Sequence, residues 1–202
     1  LQDGSHIRLK QTSDYPWNGE VRFTVLECNS SSARLKLRIP GWASSADIDV
    51  DGTQADVAVM PGTYVTIPQE LHPGTTIDLK IPMPVQLIES HPLVEETRNH
   101  VAVKRGPLVY CLESIDLPSG TALADIRVPT DIKIEPRFDA KLLQGVSVLD
   151  GTVMSRPSGN WNGRLYREFS QPAARPVKTK FVPYYAWANR GKSEMTVWLP
   201  VD

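Results

Sequence analysis

The sequence predicts an all-β protein made of two β-sandwich domains, jelly-roll or immunoglobulin-like, with mainly antiparallel strands. Apolar and polar residues alternate with period two over many short segments, as half-buried strands require. The chain carries 17 prolines and 13 glycines among 202 residues, and each proline removes an amide donor and blocks a helix interior. No window of about eleven residues holds an apolar stripe of helical period. Short strands joined by tight turns are what these constraints leave.

Val21–Leu26 is the first clear strand. In Ala33–Ile39 the alternation places Leu35, Leu37 and Ile39 on one face and Arg34, Lys36 and Arg38 on the other, and Pro40-Gly41 ends the segment. Ile48–Val50, the turn Asp51-Gly52 and the run Asp56–Val59 predict a hairpin, because Asp-Gly suits a turn with positive φ. Tyr64–Ile67 and Thr76–Ile81, separated by turn chemistry at His72-Pro73-Gly74, complete the first group. Prolines surround Val85–Ile88, and the acidic and polar stretch Glu95–His100 has little to bury, so it predicts the connection between halves. The first domain is placed at residues 1–88 and the second at 89–191. Val101–Lys104 and Pro107–Leu112 open the second; the latter is apolar on both sides and predicts a central strand. Ile132–Ile134, Val146–Leu149, Val177–Val182 and Met195–Leu199 follow.

Composition excludes several classes of function. Hydrophobic residues at 41% can fill a core, which argues against disorder. The longest apolar runs fall far short of the ~18 residues of a spanning helix, and the first residues show no charged-then-apolar leader, so any export signal is expected to have been removed or to lie outside this piece. With 22 basic and 23 acidic side chains, there is no electrostatic footprint for nucleic acid or anionic lipid. Cys28 and Cys111 lack metal-ligand spacing and read as buried thiols, with one disulfide as the alternative. The compartment is open; a bacterial periplasmic or extracellular location is expected ahead of a cytoplasmic one.

Candidate chemistry is sparse. Asp47-x-Asp49-x-Asp51-Gly52 opens like a calcium loop, but Ala58 stands at the twelfth position, where a bidentate glutamate is required. Glu95-Glu96 would point apart in an extended chain, and Glu27, Glu113, Asp116 and Glu168 read as surface charges or turn ligands. No catalytic residue and no metal ligand is assigned. Loop aromatics are the remaining source of a binding surface, since an indole or phenol face stacks on a sugar while amide and guanidinium donors pair its hydroxyls. In the segment Gly159–Tyr166, the candidate carbohydrate-binding residues are Trp161, Arg164 and Tyr166; Trp17, Trp42, Trp187 and Trp198 read as caps on small β cores.

Four segments carry a family resemblance: Thr12–Gly19 (TSDYPWNG), Leu37–Trp42 (LRIPGW), Val101–Glu113 (VAVKRGPLVYCLE) and Val182–Gly191 (VPYYAWANRG). In this order they resemble the non-catalytic part of glycoside hydrolase family 127, typified by bacterial β-L-arabinofuranosidases of plant glycan degradation. The segment Gln69–Thr75 departs from the family's pattern. The resemblance implies that a zinc-bound cysteine nucleophile and a glutamate acid/base lie in an (α/α) barrel absent from this chain. It assigns no cofactor here and names that barrel, in the same or a neighbouring chain, as the partner. It also implies that the strand in 192–202 returns to complete the first sandwich. The function expected is therefore an accessory portion that braces the barrel and is inactive alone, whether a truncation or a split-gene product. The alternative is a free-standing carbohydrate-binding module, and an enzyme with unrecognised carboxylates is a third, weaker reading.

Overall fold

The structure is a computed structural model that describes residues 4–170 and 172–202. The chain divides into two compact units, Leu1–Pro84 and Val85–Asp202. Nearly all its regular structure is strand, and no helix among the described residues is long and apolar enough to cross a membrane.

The first unit holds β1 (Ile7–Ser13), β2 (Glu20–Cys28), β3 (Lys36–Arg38), β4 (Asp47–Val50), β5 (Thr53–Gln54), β6 (Tyr64–Thr66) and β7 (Thr76–Lys80). Five form an antiparallel sheet in the order β1-β2-β7-β4-β5, and β3 pairs with β6. Val25, Ile48, Ile77 and Leu79 from the larger sheet and Leu37 and Val65 from the smaller meet in one buried cluster, so the unit is two layers over a common core. The predicted inward face of Leu37 and Ile39 is observed. The Asp51-Gly52 turn has φ of +50° and +78°, but it leads into β5 at Thr53–Gln54. The run Asp56–Val59 is not a strand. Strand β1 was not predicted; only Ile7 and Leu9 alternate before polar residues take over, and a bulge interrupts its pairing between Arg8 and Leu9.

The aspartates of the calcium-like opening serve the sheet. Asp49 pairs with Lys80 at 3.2 Å and Asp51 accepts the Thr76 amide at 2.8 Å, while Ile48 and Val50 between them are buried. Gly19 sits where β2 begins against the end of β7. A Cβ there would lie 1.9 Å from the Ile81 carbonyl oxygen, and the Ile81 amide donates to the Gly19 carbonyl at 2.9 Å.

The second unit holds β8 (Val85–Glu89), β9 (His100–Arg105), β10 (Leu108–Glu113), β11 (Ile126–Arg127), β12 (Ile134–Asp139), β13 (Val146–Ser155), β14 (Arg175–Pro183), β15 (Met195–Thr196) and β16 (Trp198–Pro200). They form one nine-stranded assembly along β11-β13-β14-β10-β9-β16, with β12 on β13, β15 on β10 and β8 on β9. Its two ends meet: the Val128 amide donates to Pro200 at 2.8 Å and the Asp202 amide to Val128 at 2.9 Å. The sheet thus rolls around Tyr110, Leu112, Ile126, Leu149, Phe181 and Leu199, within the antiparallel all-β architecture expected. As predicted, β10 is central, with neighbours on both edges and four buried residues in succession, Tyr110–Glu113.

Two expectations about the boundaries require correction. Strand β8 pairs with β9 along its whole length, so the divide falls at Pro84 and not at residue 88; Pro82 and Pro84 supply no amides to extend β7. The segment 192–202 does not complete the first unit. It breaks at Val197, where the Thr196 hydroxyl bonds the Trp198 carbonyl at 2.8 Å, and its halves pair with β10 and β9. Leu199 consequently enters the main core while Met195 and Val197 pack with Cys111, Val148 and Val182 in a smaller cluster, so the three do not share one face.

Candidate functional site: a buried ion cluster and an exposed loop

The second unit contains a cluster that sequence reasoning missed. Strand β10 ends in Glu113, and a 3-10 turn, Ser114–Asp116, follows directly. Strand β14 likewise runs into a 3-10 turn, Tyr184–Ala186, after which Ala188 adopts φ of +62° and the chain returns with Arg190. The Arg190 guanidinium bonds both carboxylates: Nη1 reaches Asp116 Oδ1 at 2.8 Å, and Nη2 reaches Asp116 Oδ2 and Glu113 Oε2. Ser193 donates its hydroxyl to Glu113 at 2.8 Å and the Ala188 amide donates at 3.2 Å. Lys180 stands 3.4 Å from Asp116.

Glu113 is 0% exposed, so it is a buried ion and not a surface charge, and by accepting the Ala188 amide it serves as a turn ligand, the other expectation; Asp116 is nearly as well covered. Burial alone would push the Glu113 carboxyl up. Hydrogen bonds from Arg190, Ser193 and the Ala188 amide outweigh burial and hold it below the usual carboxylate range. The Arg190 guanidinium is in turn held more firmly protonated by its bonds to Asp116 and Glu113, against the effect of burial. A carboxylate that accepts three hydrogen bonds and has no water contact is poorly suited to give or take protons. The cluster fixes the loop 184–194 to the end of β10, where the Ser114 amide donates to Glu194 and the Glu194 amide to the Ser114 hydroxyl. On that loop Tyr184, Tyr185 and Trp187 are partly exposed.

The sugar-binding candidates lie in the long connection 156–174 between β13 and β14. Trp161 is 42% exposed, with the Arg167 guanidinium 4.1 Å from its ring centroid, a cation–π contact that occupies one indole face. The Arg164 amide bonds the Trp161 carbonyl at 2.9 Å, while the Arg164 and Tyr166 side chains are exposed. Backbone and indole are therefore organised locally within this loop.

Two of the open grooves among the described residues are lined largely by charged side chains. One, about 370 Å³ in the first unit, is lined by Asp14, Asn18, Arg22, Asp78 and Lys80, with Arg22 bonded to Asp78 at 2.6 and 2.8 Å. The other, about 640 Å³ in the second unit, is lined by Ile115, Lys133, Glu135, Lys178 and Lys180. Among the described residues, no group of three or more His, Cys, Asp or Glu is placed to hold a metal ion. Cys28 and Cys111 are the two cysteines of the chain. Both are free thiols; Cys28 donates to the Ser30 carbonyl at 3.3 Å, and burial pushes the Cys111 thiol up to about 12, the reverse of what a thiolate requires.

Comparison with known proteins agrees with this architecture. Residues 1–83 match the sequence model described as "Beta-L-arabinofuranosidase, GH127 middle domain" and residues 85–200 the "Glycoside hydrolase family 127 C-terminal domain". A non-reducing end β-L-arabinofuranosidase of Bifidobacterium longum subsp. longum is 34% identical over 204 aligned positions, spanning 96% of this chain and 30% of its own length. Among solved structures, Ara127N, a GH127 β-L-arabinofuranosidase from Geobacillus stearothermophilus T6, superposes with a TM-score of 0.87 at 39% identity, covering 99% of this chain and 31% of that one. A glycoside hydrolase superposes at 0.89 with 40% identity, covering 96% and 32%. The chain thus spans about a third of the length of these relatives, and by its two matched regions it belongs to glycoside hydrolase family 127, comprising the family's middle and C-terminal domains.

Proposed function

We propose that residues 1–202 are the accessory β portion of a β-L-arabinofuranosidase-like enzyme, serving as a brace for a catalytic domain that precedes the middle domain. Alone, the chain does not hydrolyse glycosides. The observation that carries this reading is the state of Glu113: the carboxylate best shielded from water among the described residues is held by Arg190, Ser193 and the Ala188 amide, so it supports the fold rather than a substrate. The relatives' additional length supplies room for the catalytic part, since this chain covers 30–32% of them. Zinc and its cysteine ligands belong, in this reading, to that other part.

The test is incubation of the isolated chain with an aryl β-L-arabinofuranoside, followed by release of the phenol. No turnover above the buffer blank is expected. Turnover that one Glu→Gln substitution in this chain abolishes would overturn the proposal.

A further inference from the structure

The connection 156–174 joins two adjacent antiparallel strands, a task that two to five residues can perform. Its extra length is not slack. At its root, Arg156 bonds Asp202 through Nε at 2.6 Å and Nη2 at 3.0 Å, and reaches the Pro172 carbonyl at 3.2 Å. The Ser158 amide bonds Asp125 at 3.1 Å. Arg167 folds back over Trp161 and bonds the Ser158 and Asn160 carbonyls, with Gly159, Asn162 and Gly163 at positive φ allowing the tight path. The loop is a small structure held by its own polar groups, yet it leaves Leu165, Tyr166 and Phe169 at 84, 89 and 91% exposure. Large apolar side chains bared together mark a contact surface.

We infer that Leu165, Tyr166 and Phe169 form a docking arm through which the second unit grips the portion of the enzyme that precedes the middle domain. This deepens the proposed function and rests on it. The occupant follows from length: about two thirds of each relative lies outside the matched region, and the first unit matches a middle domain, so chain precedes it in the family. A tethered neighbour meets the arm at an effective concentration of about millimolar, well ahead of a second copy of the chain. The pinned root lowers the ordering cost of docking.

The experiment uses residues 1–202 alone and the same residues downstream of a family 127 N-terminal portion in one polypeptide. Hydrogen exchange of the peptide spanning 160–170 is expected to slow by at least about tenfold in the longer polypeptide. A photo-crosslinker at position 166 is expected to join that N-terminal portion. With the two parts supplied separately, the combined change Leu165→Ser, Tyr166→Ser and Phe169→Ser weakens their association by at least about tenfold. It leaves the melting of the isolated chain unchanged, because these side chains cover nothing there. Unaltered exchange, or crosslinks only to a second copy, would overturn the docking arm. Arabinoside hydrolysis by the longer polypeptide separates the two ideas: an active enzyme with an unprotected loop sinks the arm alone, and an inactive one with a protected loop sinks the proposed function alone.

Discussion

The Arg190 guanidinium closes on the Glu113 carboxylate, 77 positions earlier in the chain, with Glu113 fully removed from water and Asp116 sharing the same cation. That pairing welds the turn after β14 to the end of β10. An ion pair so placed is costly to break on one side, because the abandoned charge stays buried.

Arg190→Met is expected to destabilise the second unit by about 3–5 kcal/mol in urea titration at neutral pH. The pH dependence should also change sign. In the parent the Glu113 carboxyl is held below its unfolded value, so its contribution is present above about pH 4.3 and is lost as pH falls through the folded value. Without Arg190, burial dominates and raises the carboxyl above the unfolded value, so stability is lost as pH rises through the carboxylate range. Denaturation midpoints of both proteins between about pH 4 and 7 check this.

Gly19→Ala is expected to cost the first unit about 1–3 kcal/mol, because the new methyl collides with the Ile81 carbonyl and the β2–β7 pairing must shift. Chemical denaturation read from first-unit amides by hydrogen exchange measures it.

Ser155→Ala is expected to leave the second unit equally stable or to gain about 1 kcal/mol. Its hydroxyl is fully buried and meets no hydrogen-bond partner among the described residues, so the change removes an uncompensated polar group. The melting midpoint reports the sign.

Cys111 is expected to resist alkylation in the native protein at neutral pH and to react only once denaturant is added. Burial suppresses both its thiolate and its access. Mass spectrometry after a timed iodoacetamide pulse distinguishes it from the half-buried Cys28.

Truncation after Gly191 removes β15, β16 and Asp202, the partner of Arg156, and should unfold the second unit while first-unit amides keep their protection. Loss of protection confined to the first unit would contradict the pairing.

The alternation at Leu35, Leu37 and Ile39, the turn at Asp51-Gly52 and the apolar run around Tyr110 were legible because local periodicity and turn chemistry determine them. Strand β1 was not, since two apolar residues give too short a signal, and neither was the split at Val197, which depends on which strands lie alongside. The Glu113–Asp116–Arg190 cluster escaped for the same reason. Its members lie up to 77 positions apart, and a buried glutamate at the end of a strand reads locally like any surface charge. The acid, the cation and the turn are visible separately in Val101–Glu113 and Val182–Gly191, but only the sheet order, which sets β14 beside β10, joins them.

The bracing role is tested most directly in the Bifidobacterium longum relative, by measuring arabinofuranosidase activity and heat stability after the region matching residues 1–202 is deleted, then after this chain is inserted in its place. The account predicts that deletion abolishes activity or lowers the melting temperature sharply, and that insertion restores both. A deleted form as active and heat-stable as the intact enzyme would contradict it.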